Sequence, residues 1–132
     1  MNESDKAFIA ILIAVVASLE ENKYSDGIVV IYGVIMQNVP TATEKQLDLA
    51  VQELLAIIKD NNGTALLLAK SSEVVQNLQK QCYSYAVEIA LKSGTISTAS
   101  QTILDTLKTD WSITTTYATA VKSVLTERVK IH

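Results

Sequence analysis

The first apolar stretch of the chain is also its longest. Residues 7–17 read AFIAILIAVVA, eleven positions without a polar side chain. A helix that is apolar on every side is buried inside a fold, whereas about 20 apolar residues are needed to cross a bilayer. The start, MNESDK, carries two acids against one lysine, unlike the positive start of a secretory signal. We therefore predict a buried helix that is capped by Asp5 and runs to about Leu19, with anchoring to a membrane or a partner as the alternative.

A second apolar run, IVVIYGVIM at 28–36, follows the polar segment EENKYSDG at 20–27. Its β-branched residues favour a strand, but short apolar runs suit either a strand or a helix. A lone strand could not satisfy its backbone hydrogen-bonding groups, and the sequence offers no second convincing strand to pair with it. We predict a buried helix, in which Gly33 allows a close crossing with another helix.

The middle of the chain carries a clear signal for a helix start. After Pro40, both Thr41-x-x-Glu44 and Thr43-x-x-Gln46 fit a capping box. One apolar face then follows at helical spacing, before the turn DNNG at 60–63. It consists of Leu47, Ala50, Val51, Leu54, Ile57 and Ile58.

Three more helices are predicted after a short apolar piece at 64–70. The first begins at Ser71, repeats apolar residues at spacings of three and four, and ends on Gly94. Ser97 is placed to cap the next helix, and Ser112 to cap the last. The whole pattern predicts an all-α fold, one domain over residues 1–132, built as a bundle of six or seven helices around the first helix and the 71–93 helix.

Composition and charge narrow the classes of partner. Of the 132 residues, 48% are hydrophobic and only 19% are charged, below the usual quarter or so. Such a low charged fraction suggests that much helix surface is covered, either inside the fold or by another chain, so we expect a homo-oligomer, most simply a dimer. The net charge is −3 and no basic run exists. A nucleic-acid partner is not expected, because such a binder must neutralise phosphates.

The residue types that catalysis uses most are scarce in this chain. The one histidine, His132, is the last residue, and a terminal imidazole is not held at the geometry that general-base catalysis needs. The one cysteine, Cys82, lies on an apolar stripe, excludes an intrachain disulfide and fits a reducing cytosol. No glycine-rich phosphate loop is present. We therefore predict that the protein is not an enzyme and uses no cofactor.

Carboxylates are the remaining candidates for chemistry. Glu20, Glu21 and Asp26 cluster in the first predicted turn, and Glu44 and Asp48 lie one helical turn apart. A hard divalent cation needs several oxygens that converge on one point. Solvated surface is the more common role of both sets, and the first set is kept as a candidate metal site.

Residues 85–125, YAVEIALKSGTISTASQTILDTLKTDWSITTTYATAVKSVL, resemble the TerB-like (tellurite-resistance) family of small all-helical domains. In that family a helix ends in Ala-Asp-Gly, a short acidic turn follows, and the next helix carries leucines. ALKSGTIS and TILDTL stand at these places, and SDGIVVIYGVIM at 25–36 offers the other Asp-Gly. The resemblance implies an all-helical fold, a link to tellurite or other stress response, and acids at the junctions that bind divalent cations.

The acids of that family are largely missing here. At the second junction Ser93 replaces the aspartate, and Ser100, or Ala99 beside it, stands where a glutamate is usual. At the first junction Asp26 survives, with the two glutamates at 20 and 21 nearby. A shared fold does not carry a metal role with it, so we interpret residues 93–100 as a helix hinge and cap.

Together these observations predict a non-catalytic, cytoplasmic interaction or scaffold domain of TerB-like type, whose protein partner the sequence does not identify. A divalent-cation-binding domain that uses Asp26, Glu20 and Glu21 is the alternative. Two further hypotheses stay open, a small-molecule binder or enzyme with a cavity lined by Tyr32, Tyr83 and Tyr85, and association with a membrane through residues 7–17 without spanning it.

Overall fold

The computed structural model describes residues 2–39, 42–59 and 62–131, and over these ranges it contains seven α-helices and no strand. The helices are α1 (Glu3–Ala17), α2 (Tyr24–Asn38), α3 (Glu44–Ile58), α4 (Gly63–Leu68), α5 (Gln76–Ala90), α6 (Thr98–Asp110) and α7 (Thr115–Ile131). Short 3-10 turns lie at Glu21–Lys23, Ala69–Glu73 and Leu91–Ser93. The prediction of an all-α bundle of six or seven helices is confirmed.

Helix α1 is the centre of the bundle, as its sequence predicts. Every residue from Ala7 to Val16 is buried, and the helix packs against α2, α3, α4 and α5. The cap differs from the prediction, because Asn2 occupies the N-cap position. The amide of Asp5 donates to Asn2 Oδ1 at 2.8 Å, and the amide of Asn2 donates to Asp5 Oδ2 at 3.3 Å. Asp5 is therefore the reciprocal partner in a capping box. None of the described helices is both long and apolar enough to cross a membrane.

Helix α2 is a helix, as predicted, but it is buried on one face only. It begins at Tyr24, so Asp26 and Gly27 lie in its first turns rather than in a loop. Val29 is 69% exposed and Met36 is 48% exposed. The residues of α2 that are buried are Gly27, Ile31, Val34 and Ile35.

The predicted close crossing at Gly33 is wrong, and the close approach lies at Gly27 instead. A Cβ atom built on Gly33 meets nothing within 4 Å in the described part of the chain. A Cβ built on Gly27 would lie 2.7 Å from Cγ2 of Val16 in α1. The reason is geometric, because the neighbours of α2 lie on the side of Gly27 and not on that of Gly33.

Helix α3 follows its predicted capping box and face. The amide of Gln46 donates to Thr43 Oγ1 at 3.2 Å, and the amide of Thr43 donates to Gln46 Oε1 at 3.0 Å. The alternative start at Pro40 and Thr41 lies outside the described residues. Of the predicted face, Ile57 and Ile58 are only half-buried, and the fully buried members are Leu47, Ala50, Val51 and Leu54.

Helix α5 begins at Gln76, five residues later than predicted. Ser71 lies in the preceding 3-10 turn, where its hydroxyl donates to Asp110 Oδ2 at 3.0 Å. The indole Nε1 of Trp111 donates to the Ser71 carbonyl at 3.0 Å. The buried serine thus ties the end of α6 to the bundle instead of starting a helix.

The predicted cap of α6 is confirmed, and that of α7 is wrong by two positions. Gly94 has φ 91°, a left-handed conformation that suits glycine, and Ser97 Oγ accepts from the amide of Ser100 at 3.1 Å. Ser112 has φ 52°, which is not the extended conformation of an N-cap. Thr114 takes that role, since its Oγ1 accepts from the amide of Tyr117 at 3.1 Å.

Candidate functional sites

The three carboxylates predicted as metal ligands lie on the surface around the start of α2. Glu20 precedes the 3-10 turn that begins at Glu21, and Asp26 lies in the first turn of α2; all three are exposed. No group of three or more His, Cys, Asp or Glu side chains that could hold a metal ion forms within the described ranges. The assignment of a divalent cation to these residues stays a prediction.

In the other acidic pair, Glu44 and Asp48, the carboxylate of Asp48 accepts a hydrogen bond from a neighbouring helix. The hydroxyl of Tyr32 on α2 donates a hydrogen bond to Asp48 Oδ1 on α3, which joins the two helices. This hydrogen bond, with burial and the negative charges of Asp48 and Glu44, raises the pKa of Tyr32 to about 12.

The junction that resembles TerB is held by serine hydroxyls. Ser100 is fully buried, and its Oγ lies 2.6 Å from Oγ of Ser18, just after α1, and 3.2 Å from Oγ of Ser97. These contacts fix the start of α6 against the end of α1. Ser93 is exposed. The junction therefore has a structural explanation as a helix cap.

Cys82 brings no reactive group to a site. Cys82 is a fully buried free thiol whose Sγ lies 3.9 Å from the Phe8 carbonyl oxygen, and burial raises its pKa. A buried thiol with a raised pKa is a poor nucleophile. His132 lies outside the described residues.

The first feature that sequence reasoning missed is an exposed apolar face on α2. Val29, Gly33 and Met36, here called the α2 face, share one side of the helix because their spacings are four and three. All three are exposed. The sequence from residue 27 to residue 43 contains no charged side chain, so no charge lies between Val29 and Met36. The exposed Asp26, three positions before Val29, lies at the N-terminal end of the same side. The spacing was visible in the sequence, but the opposite side of α2 is apolar as well.

The second missed feature is a groove between α6 and α7, whose floor is formed by α5. It has a volume of about 190 Å³. The apolar residues that line it include Val87 on α5, Leu104 on α6 and Ile96 just before α6. Helix α7 is held beside the groove by Tyr117, whose hydroxyl lies 3.0 Å from Ser84 Oγ on α5.

Polar and charged side chains line the rim of this α6–α7 groove. Lys108 Nζ donates to Thr115 Oγ1 at 2.8 Å, and Gln101 Nε2 donates to Asp105 Oδ1 at 2.9 Å. Lys122 of α7 also lines the groove.

Of the three tyrosines predicted to line a cavity, Tyr83 lines this groove. Tyr32 is bonded to Asp48 between α2 and α3, and the ring of Tyr85 packs against Phe8 with ring centroids 6.4 Å apart. The structure therefore does not bring the three tyrosines together at the α6–α7 groove.

Comparisons of the chain with protein-family models, curated proteins and solved structures give no match. The resemblance to the TerB-like family stays a prediction.

Proposed function

We propose that this chain is a non-catalytic helical interaction domain that self-associates through the α2 face. The observation that carries the proposal is the exposure of Val29 and Met36 on either side of an unobstructed Gly33. A cytoplasmic location, a TerB-like type and a link to tellurite or other stress response belong to the same proposal, and they rest on the cysteine usage and the resemblance of residues 85–125.

The exposed Gly33 favours a helix as the structure that packs on the α2 face. Glycine inside a helix costs roughly 1 kcal/mol relative to alanine. Within the described residues no neighbour of Gly33 approaches closely enough to require a glycine. A second helix crossing at Gly33 would supply that requirement, because two backbones approach most closely where a side chain is missing.

The absence of charge favours a second copy of the chain as that occupant. Two identical chains of net charge −3 repel each other unless their contact surfaces avoid like charges. The α2 face satisfies this condition between Val29 and Met36, and Asp26 lies at its N-terminal end. Its spacing also suits two-fold symmetry, since in an antiparallel crossing at Gly33 the Val29 of one copy lies opposite the Met36 of the other.

The size of the face predicts a weak dimer. Helix α2 has 15 residues in all, fewer than the roughly 20–30 residues that each partner contributes to a standard stable interface. We expect a dissociation constant between about 10 μM and 1 mM.

Sedimentation equilibrium over that concentration range tests the proposal with two matched variants. Val29→Glu places a like charge on each side of the symmetric contact and is expected to leave a monomer throughout. Val124→Glu makes the same change on α7, where Val124 is 57% exposed, and is expected to dimerise like the unchanged chain.

Two results would refute self-association through α2. One is a monomer at about 1 mM for the unchanged chain. The other is a Val29→Glu variant that dimerises as tightly as the unchanged chain, which would place the contact on another surface.

A further inference from the structure

We infer that Met36 makes self-association sensitive to oxidation, because a peroxide converts its thioether to a sulfoxide and the oxidised α2 face dimerises much more weakly. The inference rests on the proposed function, since it concerns the same contact between two copies, and it adds the means by which that contact is regulated.

The thioether of Met36 is open to an oxidant in water. Met36 is 48% exposed, whereas Cys82, the other sulfur-containing residue that the structure describes, is 0% exposed. Met1, the remaining methionine of the sequence, lies outside the described residues. An oxidant that acts on the folded chain therefore reaches the sulfur of Met36 and not that of Cys82.

Oxidation of Met36 leaves the fold of a single copy intact. Met36 belongs neither to the buried core nor to the partly buried apolar residues that pack against it. In the monomer the sulfoxide oxygen is hydrated, so no core contact is lost and no polar atom is buried without a partner. The effect of oxidation falls on whatever covers Met36, which in the proposed dimer is the α2 face of a second copy.

The chemical step needs an exposed sulfur and a peroxide, and no catalytic residue. A lone pair of the Met36 sulfur attacks one oxygen of hydrogen peroxide, and the S–O bond forms as the O–O bond breaks. The departing hydroxide takes the proton left on the transferred oxygen and leaves as water, so the thioether loses two electrons and the peroxide gains them. Methionine sulfoxide reductases reverse the step, because two thiols are oxidised to a disulfide and the oxygen leaves as water.

The sulfoxide is poorly accommodated at the contact between two copies. In the antiparallel crossing at Gly33, Met36 of one copy lies opposite Val29 of the other. The side chain of Val29 has no hydrogen-bond donor, so the polar S–O group would lose its water there without gaining a partner. Two-fold symmetry repeats this cost at the second Met36. We expect oxidation of both copies to weaken dimerisation at least about tenfold.

The reciprocal effect is protection of Met36 by the dimer. Because the contact covers the sulfur, peroxide attacks it mainly in the monomer. The rate of Met36 oxidation should therefore fall as the protein concentration rises from about 10 μM to 1 mM. A methionine exposed elsewhere on the surface would show no such dependence, so this measurement separates a regulated contact from incidental oxidation.

Treatment of the full chain with excess hydrogen peroxide tests the inference. Peptide mass spectrometry locates the added oxygen, and sedimentation equilibrium measures association before and after oxidation. We expect one oxygen atom on Met36, an unchanged far-UV circular dichroism spectrum, and a dissociation constant raised at least about tenfold. Methionine sulfoxide reductase with a dithiol is expected to restore dimerisation.

Two variants assign the effect to Met36. Met36→Leu keeps an apolar side chain of similar volume without sulfur, so it is expected to dimerise within about threefold of the unchanged chain and to be insensitive to peroxide. This variant retains Met1 and Cys82 and therefore controls for oxidation at both. Met36→Gln places a polar amide at the contact and is expected to weaken dimerisation without any peroxide.

The outcomes distinguish this inference from the proposal on which it rests. A chain that is monomeric at about 1 mM before oxidation refutes the proposed function, and the inference falls with it. A chain that dimerises equally well before and after complete oxidation of Met36 refutes the inference alone. The inference is also refuted by a Met36→Leu dimer that peroxide dissociates, or by a rate of Met36 oxidation that does not change with protein concentration.

Discussion

Replacing either Gly27 or Gly33 of α2 by alanine separates helix propensity from packing with a single type of substitution. Both glycines lie within the same helix. Adding a Cβ atom at an interior helix position stabilises the fold by about 0.5–1 kcal/mol, because alanine loses less backbone entropy than glycine. This gain is similar at the two positions, so the difference between the variants reports what the new methyl group meets.

At Gly33 the methyl group meets nothing. A Cβ built there has no neighbour within 4 Å over the described residues. We expect Gly33→Ala to raise the free energy of unfolding by about 0.5–1 kcal/mol.

At Gly27 the methyl group enters a filled space. A Cβ built there would lie 2.7 Å from Val16 Cγ2, 3.3 Å from Ile89 Cγ2 and 3.5 Å from Leu19 Cδ1. Val16 and Ile89 are both 0% exposed, and β-branched side chains have little freedom to rotate away. Overpacking of this kind costs about 1–3 kcal/mol, so Gly27→Ala should be less stable than Gly33→Ala by about that amount.

Urea unfolding followed by far-UV circular dichroism measures both variants against the unchanged chain. The protein concentration is kept below about 5 μM, under the expected dissociation constant of the dimer, so that only folding is measured. Equal m-values are required before the free energies are compared. Equal stability of the two variants, or a Gly27→Ala variant more stable than the unchanged chain, would refute the packing of α2 against α1 and α5 described above.

Two further predictions concern polar contacts. Asp48→Asn should lower the pKa of Tyr32 from about 12 towards 10.0, as measured by tyrosinate absorbance. Because the pKa of Tyr32 is higher in the folded protein, the contribution of Tyr32 to stability is complete below about pH 10 and is lost as pH rises towards 12. The loss of folding stability between these two pH values should therefore be smaller in the variant. An unchanged Tyr32 pKa would contradict the contact. Ser97→Ala should lower the free energy of unfolding by about 1 kcal/mol through loss of the α6 cap, whereas Thr98→Ala, at the next and uncapping position, should change it by less than about 0.5 kcal/mol.

The burial of the central helix could be predicted, although the sequence left open whether the fold itself, a membrane or a partner covers the helix. A segment that is apolar at every position from Ala7 to Ala17 has no side to turn towards water, so burial follows from the sequence alone. The helix cap at Thr43 could also be predicted, since a capping box depends on residues three positions apart and not on distant neighbours.

The face of α2 that is buried could not be predicted, because both faces of this helix are apolar. Both Ile31 and Val29 are β-branched and apolar, and they differ in burial only because α1 and α5 lie on the Ile31 side. Sequence periodicity distinguishes an apolar face from a polar one, but it cannot distinguish two apolar faces. For this reason the sequence predicts the close contact at Gly33, whereas only the position of Val16 identifies Gly27 as the residue that makes it.

The same limit explains why neither candidate surface carries a motif. Tyr83 and Lys122 are far apart in sequence, and they line one groove only because α7 returns along α5, where Tyr117 contacts Ser84. The exposed and buried faces of α2 likewise become different only after the bundle has formed. A function that depends on surfaces between and outside packed helices leaves no short pattern of residues in the sequence, so such surfaces are found only once the packing of the helices is known.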